Sequence, residues 1–291
     1  MDIRALIMGL SFVIMWSSAF TSARIAVAYA SPLLLLSVRF LISGLLAMAI
    51  AKALGQRIAL TRKQWGAVVL FGLLQNGVYL GANFVAMQWI EAGLAAIIAS
   101  LLPLLVALLS WLFFKERLPK LGVLGLFAGL AGVLIIMGSR LSGGADITGV
   151  LLAFMGVGAL SLATLLVRGA TASGNVLMVV GLQMLVASAA LFPASLAFET
   201  WHVIWSWQLI VAFIYTTLVP GVLATLVWFL LVQRIGAIRA SSFHFLNPFL
   251  GVAIAAMVVG ETLSWQDVIG VAVVTLGIVA VQLSKRPPRS V

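Results

Sequence analysis

Stretches of roughly twenty apolar residues, each closed by a short polar or turn-forming connection, follow one another along the whole 291-residue chain. A run of about 18 or more such residues spans the roughly 30 Å hydrocarbon core of a bilayer as a helix. The pattern predicts ten spans, at 4–28, 32–54, 65–89, 92–114, 120–139, 147–168, 175–198, 205–232, 236–259 and 265–284. Ala30-Ser31-Pro32, Gly55-Gln56-Arg57, Leu118-Pro119-Lys120 and Ser142-Gly143-Gly144 mark turns between them. None of the connections has room for a soluble domain. Ala28-Tyr29-Ala30 looks like a signal-peptidase site, but the apolar run before it is long, Arg24 interrupts its end and its basic region is one arginine. The first run is therefore expected to remain as a span.

The apolar pattern repeats at long range. Pro248 and Glu261 lie thirteen residues apart, as do Pro103 and Glu116, and the two pairs are separated by 145 positions. Leu118 and Leu263, Gly125 and Gly270, Gly132 and Gly277, and Ile90 and Ile235 keep the same shift. A period near half the chain marks a duplicated unit rather than a solenoid of short repeats. Five spans per unit is an odd number, so the second unit enters the membrane from the opposite side. The expected fold is an all-α polytopic membrane protein, its ten transmembrane helices arranged as two inverted five-helix repeats, 1–145 and 146–291, in one structural unit. Inverted repeats that meet near the bilayer midplane are an architecture of secondary transporters.

Composition agrees with the pattern. With 64% hydrophobic residues, 8% charged residues and a mean hydropathy of +1.23, the chain lacks the polar surface to cover a water-soluble globule. The net charge of +10 could suggest nucleic acid, but the basic residues form no aromatic-interleaved patch. Instead they segregate: with ten spans, fourteen lysines and arginines fall on one side of the membrane and Arg140 alone on the other, with Arg24 and Arg39 inside or near the ends of spans. Because Lys and Arg are retained on the cytoplasmic side, both termini are expected in the cytoplasm and nucleic acid is not an expected partner. With no cysteine, there is no disulfide framework or thiolate metal site.

The repeated arrangement of a mid-span proline, a Gly-Glu or Lys-Glu pair followed by Leu, and a glycine-rich helix resembles the EamA module of the drug/metabolite transporter superfamily. The residues that carry it are Asn247-Pro248, Gly260-Glu261, Leu263, Gly270 and Gly277 in the second copy, and Pro103, Glu116, Leu118, Gly125 and Gly132 in the first. Arg39 also resembles a family feature; its counterpart Gln183 departs from it, and Lys115 stands where a glycine precedes the glutamate. The aromatic-rich spans and the His244–Asn247 region are most similar to YddG-type aromatic amino-acid exporters. The resemblance implies a carrier in the cytoplasmic (inner) membrane of a bacterium, moving amino acids or related metabolites outward without ATP. Drug-like amphipathic or cationic solutes are the alternative cargo.

Several polar groups lie inside the spans. Ser241, His244, Asn247 and Gly251 share one face of the ninth helix, and Pro248 removes a backbone donor and frees a carbonyl one turn earlier. Gln75, Tyr79 and Ala82 or Ala86 form a stripe on the third helix with Asn76 and Asn83 beside it; Thr217, Gly221, Thr225 and Trp228 form one on the eighth, near Pro220. Intramembrane polar groups either line a path or bond neighbouring helices. The expected substrate contacts are Trp16, Gln75, Tyr79, Asn83, Thr217, Trp228, Phe243, His244 and Asn247, with Pro103, Pro220 and Pro248 as helix breaks or gates. Trp65, Trp89, Trp201, Trp205, Trp207 and Trp265 fall near span ends, where indoles anchor in the interface. Glu116 and Glu261 are expected to complement the N-terminus of the following helix, and Gly122, Gly125, Gly129 and Gly132 to let helices pack backbone to backbone.

All seven acidic residues fall in connections or at span ends, so no midplane carboxylate is expected to couple transport to protons or sodium. Either His244 carries a proton or the solute runs down its own gradient. A substrate ammonium would then be held by carbonyls, amides and aromatic faces. Two distant histidines without a core carboxylate supply neither the acid/base pair of an enzyme nor a metal cluster. The expected partners are a small-molecule substrate and the lipid bilayer, with no cofactor.

Overall fold

The computed structural model describes residues 3–115, 119–142, 146–166, 175–235, 243 and 246–284. Among them the chain is helical, apart from connections and one isolated bridge between Ala30 and Val203. The helices, in chain order, are α1 (Ile3–Val27), α2 (Pro32–Ala53), α3 (Arg62–Ala86), α4 (Ala92–Ser100 continued by Leu102–Phe114), α5 (Lys120–Ser142), α6 (Ile147–Leu166), α7 (Val176–Phe198), α8 (Trp207–Leu218 and Ala224–Ile235, joined through Val219–Leu223), α9 (Asn247–Val259) and α10 (Trp265–Ser284). Seven stretches are long and apolar enough to cross a membrane, and Lys120–Ile136, Asn247–Val259 and Trp265–Val281 are shorter apolar helices. The protein is a multi-pass membrane protein.

Three helices are interrupted among the described residues, two of them at or beside a proline. In α4 the regular ladder breaks at Leu101, and Pro103 opens the next stretch, where its missing N–H has no partner to lose. In α8 a π-helical turn occupies Val219–Leu223 around Pro220. A longer π-helical stretch, Gly72–Leu80, lies in α3 without any proline. Wide turns of this kind recur at functional sites.

Packing between helices runs through small residues. Gly125 on α5 lies against the Gly277 carbonyl on α10, and Gly132 against that of Gly270; a Cβ at either position would sit 2.7 or 2.8 Å from the facing oxygen. On α2 and α7, Gly44 meets Gly181, and the Ser188 hydroxyl donates to the Ser37 carbonyl at 2.8 Å. Small residues allow this approach without a hydrophobic driving force between helices.

Side chains at one helix end close the amino end of another. Glu199, after α7, accepts from the Leu33 and Leu34 amides of α2 at 2.7 and 3.0 Å. Gln56, after α2, accepts from the Met178 amide of α7 at 3.0 Å. Glu261, after α9, accepts from Ala92 and Gly93 of α4 at 2.7 and 2.9 Å. This differs from the sequence expectation, in which Glu261 serves the following helix. That helix, α10, is closed locally instead: Ser264 and Asp267 exchange side chain-to-amide bonds at 2.9 and 3.1 Å, which leaves Glu261 available to a partner brought near by packing. Glu116 lies outside the described residues. α4 and α9 both end in left-handed backbone, at Lys115 (φ 52°) and Gly260 (φ 74°).

At the end of the bundle that carries Glu199, the α1–α2 turn is tied to the α7–α8 connection. Ser31 N–H donates to the His202 carbonyl at 3.1 Å, Ile204 N–H to that of Tyr29 at 2.7 Å, and Ala30 bridges to Val203.

Candidate functional site

A cavity of about 360 Å³ lies among α1, α2, α3, α4, α6, α7 and α8, within the range of about 300–1,000 Å³ usual for small-molecule sites. One wall is aromatic. Phe12 lies between Trp16 and Trp228, with ring centroids 5.7 and 4.8 Å away, and Phe20, Phe40, Phe71 and Phe84 extend the apolar surface. The polar groups are mostly neutral: Gln75, Asn76, Tyr79 and Asn83 from α3, Thr164 from α6, Gln183 from α7 and Thr225 from α8. The π-helical stretch of α3 contains Gln75, Asn76 and Tyr79, so the widened backbone and the polar stripe coincide. Asn83 donates to the Tyr79 carbonyl at 2.8 Å, while its Oδ1 is buried without a partner among the described residues.

Of the residues expected from the sequence, Trp16, Gln75, Tyr79, Asn83, Pro220 and Trp228 line this cavity. The others that fall among the described residues are placed elsewhere. Thr217 is buried beside it, and its hydroxyl donates back to the Phe213 carbonyl at 2.6 Å. This intrahelical bond satisfies the hydroxyl within its own turn. Phe243 rests on the bare backbone of Gly9, where a Cβ would stand 2.2 Å from the ring, and packs beside Trp228. Asn247 accepts from the Ser17 hydroxyl at 3.4 Å, linking α9 to α1. Pro103 and Pro248 open the first turns of the second stretch of α4 and of α9. His244 lies outside the described residues.

The sequence-based list of contacts omits the one charged side chain among the described residues that line the cavity. Arg39, in mid-α2, is 5% exposed. Pro220 has no N–H to offer the Thr216 carbonyl four residues earlier, and Arg39 Nε donates to that oxygen at 3.2 Å. On the next carbonyl, Thr217, the Ser43 hydroxyl of α2 donates at 3.3 Å. The guanidinium carbon stands 5.3 and 5.8 Å from the ring centroids of Phe40 and Phe84. A cation in the middle of an apolar span was the available signal; what the chain order hid was its neighbour on α8, 177 residues away. A second arginine, Arg24 in α1, donates to the Met87 carbonyl at the end of α3.

No carboxylate balances Arg39 among the described residues. Glu91, Asp146, Glu199, Glu261 and Asp267 all stand at helix ends. The described residues also contain no group of three His, Cys, Asp or Glu able to hold a metal ion.

The EamA-like transporter family matches the chain twice, over residues 3–138 and 147–283. The uncharacterized inner membrane transporter YedA of Escherichia coli is 31% identical over 94% of this chain and 88% of its own length. The uncharacterized transporter YvbV of Bacillus subtilis is 26% identical over 96% of this chain and 91% of its own. A solved crystal structure 22% identical in sequence has the same fold, with a TM-score of 0.68 over 96% of this chain and 98% of its own.

Proposed function

This chain belongs to the EamA-like transporter family, and from that premise we propose that it is a secondary carrier of the bacterial inner membrane that exports amino acids, chiefly aromatic and other neutral ones, through the central cavity by alternating access. The observation that carries this reading is the cavity wall, in which aromatic rings and neutral amides and hydroxyls line the same space. Aromatic rings offer stacking surface to an indole or phenyl group, and buried amides offer hydrogen bonds to the polar end.

The proposed topology is ten crossings with both termini cytoplasmic, as two inverted five-helix units, 1–145 and 146–291. Two facts support it. The family matches each half separately, and the contacts between halves come in reciprocal sets. Gly125 meets Gly277 and Gly132 meets Gly270; shifting each first member by 145 positions gives the partner of the other. Gly44–Gly181 and Ser37–Ser188 are related in the same manner by 144. Reciprocity of this kind is what a two-fold axis between the halves would produce, and it supports the reading.

The breaks at Leu101 and Val219–Leu223 are the proposed places where helices bend between states. With no carboxylate lining the cavity among the described residues, the solute moves down its own gradient unless His244 carries a proton. The purified protein in liposomes should release trapped tryptophan or phenylalanine, and the double variant Trp16→Ala, Trp228→Ala should lower apparent affinity for tryptophan about tenfold, a few aromatic contacts' worth. Vesicles that stay closed to every amino acid tested would remove the reading.

A further inference from the structure

The cavity's charge is uncompensated. Arg39 is buried, lines the space, and faces no carboxylate among the described residues. A guanidinium carries five N–H groups in a rigid fork; one, on Nε, is used by the Thr216 carbonyl. The two nearby rings, Phe40 and Phe84, contribute cation–π attraction but accept no conventional hydrogen bond. A buried cation left in that state is unfavourable unless an anion joins it. The bond from Nε also orients the group, since Thr216 is itself held by its hydroxyl, which lies 2.6 Å from the Ala212 carbonyl and 2.8 Å from the Ser22 hydroxyl. The fork is thus prepared for a planar, two-oxygen partner.

The opposite requirement is missing. No side chain among the described residues that line the cavity carries negative charge, so a substrate ammonium meets neutral acceptors such as Gln75 and Asn83. We propose that Arg39 anchors the carboxylate of the transported solute, that a free carboxylate is therefore required for recognition, and that the ammonium group is dispensable. The substrate class becomes aromatic and apolar monocarboxylates, amino acids among them, while amines and quaternary ammonium compounds are excluded. This deepens the carrier reading above and rests on it.

Three indoles separate the possibilities: tryptophan, 3-(indol-3-yl)propionate, which lacks the amine, and tryptamine, which lacks the carboxylate. In counterflow of labelled tryptophan into proteoliposomes, indolepropionate should compete within about threefold of tryptophan and tryptamine at least about tenfold more weakly, the loss that follows removal of a charge-assisted bond. Arg39→Gln should abolish the preference for acid over amine, and Arg39→Lys should restore part of it. Competition by tryptamine equal to that of the acid overturns the assignment, as does an Arg39→Gln protein, monodisperse on gel filtration, that keeps the wild-type preference. The wild-type series alone decides the matter if the variants do not fold.

Ligand-induced thermal stabilisation in detergent separates this proposal from the carrier reading. If vesicles carry none of the three but the two acids, and not the amine, still stabilise the wild type, transport falls and the anchor stands. Flux of tryptamine at the rate of the acids removes the anchor and leaves the carrier.

Discussion

The Glu261 carboxylate accepts the amide of Gly93, 168 positions earlier in the chain, at 2.9 Å, with its other oxygen on Ala92. The first amides of α4 have no partner within their own helix, and a carboxylate there is favoured both by hydrogen bonding and by the helix dipole. Glu261→Ala should therefore destabilise the protein by about 2 kcal/mol or more, since two amide donors lose their acceptor. Glu261→Gln, which keeps one acceptor, should cost about half as much. Thermal unfolding in detergent measures both, and equal stability of all three proteins would show that the contact contributes nothing.

The left-handed ends of α4 and α9 yield a stabilising prediction. Gly260 adopts φ 74° without a side chain to strain, whereas Lys115 adopts φ 52° with one. Left-handed backbone disfavours residues with a Cβ by roughly 1–2 kcal/mol, offset in part by the extra freedom glycine gains on unfolding. Lys115→Gly should raise stability by about 0.5–1 kcal/mol and leave transport unchanged. The reverse change, Gly260→Lys, should lower stability by a similar amount in the same unfolding measurement.

Packing of α5 on α10 gives the strongest structural test. Because the atoms facing Gly125 and Gly132 include, beside a valine methyl, a backbone carbonyl and an amide, those two cannot swing aside as a side chain would. Gly125→Ala and Gly132→Ala should each cost about 1–3 kcal/mol, as overpacking does. Gly158→Ala is the control: nothing lies within 4 Å of its added Cβ, so only the gain in helix propensity remains. A neutral Gly132→Ala would contradict the close approach.

Topology can be read with single cysteines, since the chain has none of its own. Gly55→Cys, in the connection beside Lys52, Arg57 and Arg62, should react with an impermeant maleimide only from the cytoplasmic side. Trp205→Cys, in the α7–α8 connection, should react from outside. Labelling of both from one side would refute an odd number of crossings between them.

Most of the architecture was legible because lipid imposes long apolar runs on a helix. Predicted spans such as 32–54 and 265–284 differ from Pro32–Ala53 and Trp265–Ser284 by about a residue. The glycine spacing in the fifth span likewise foretold a close helix contact, though not which helix provides it. The site was legible in part. Trp16, Gln75, Tyr79, Asn83 and Trp228, singled out because polar or aromatic groups deep in a span need a reason, line the cavity. The Thr217 hydroxyl bonds within its own turn, an arrangement that periodicity cannot distinguish from a cavity-facing hydroxyl. The role of Arg39 depended on a carbonyl exposed by Pro220 on another helix, and the π-helical stretch of α3 has no marker such as proline. Long-range caps were hidden for the same reason: Glu261 and Glu199 find their partners only after the helices have packed.

The ties between connections bear on how the molecule moves. Ser31, Tyr29 and Ala30 belong to the first half of the chain, and His202, Ile204 and Val203 to the second; at the same end, Glu261 fastens the second half to α4 of the first. Two clasps thus stitch the duplicated units together on one rim. An opening at that rim along the line between the two halves has to undo both clasps, whereas a movement that leaves them closed carries helices of both halves together.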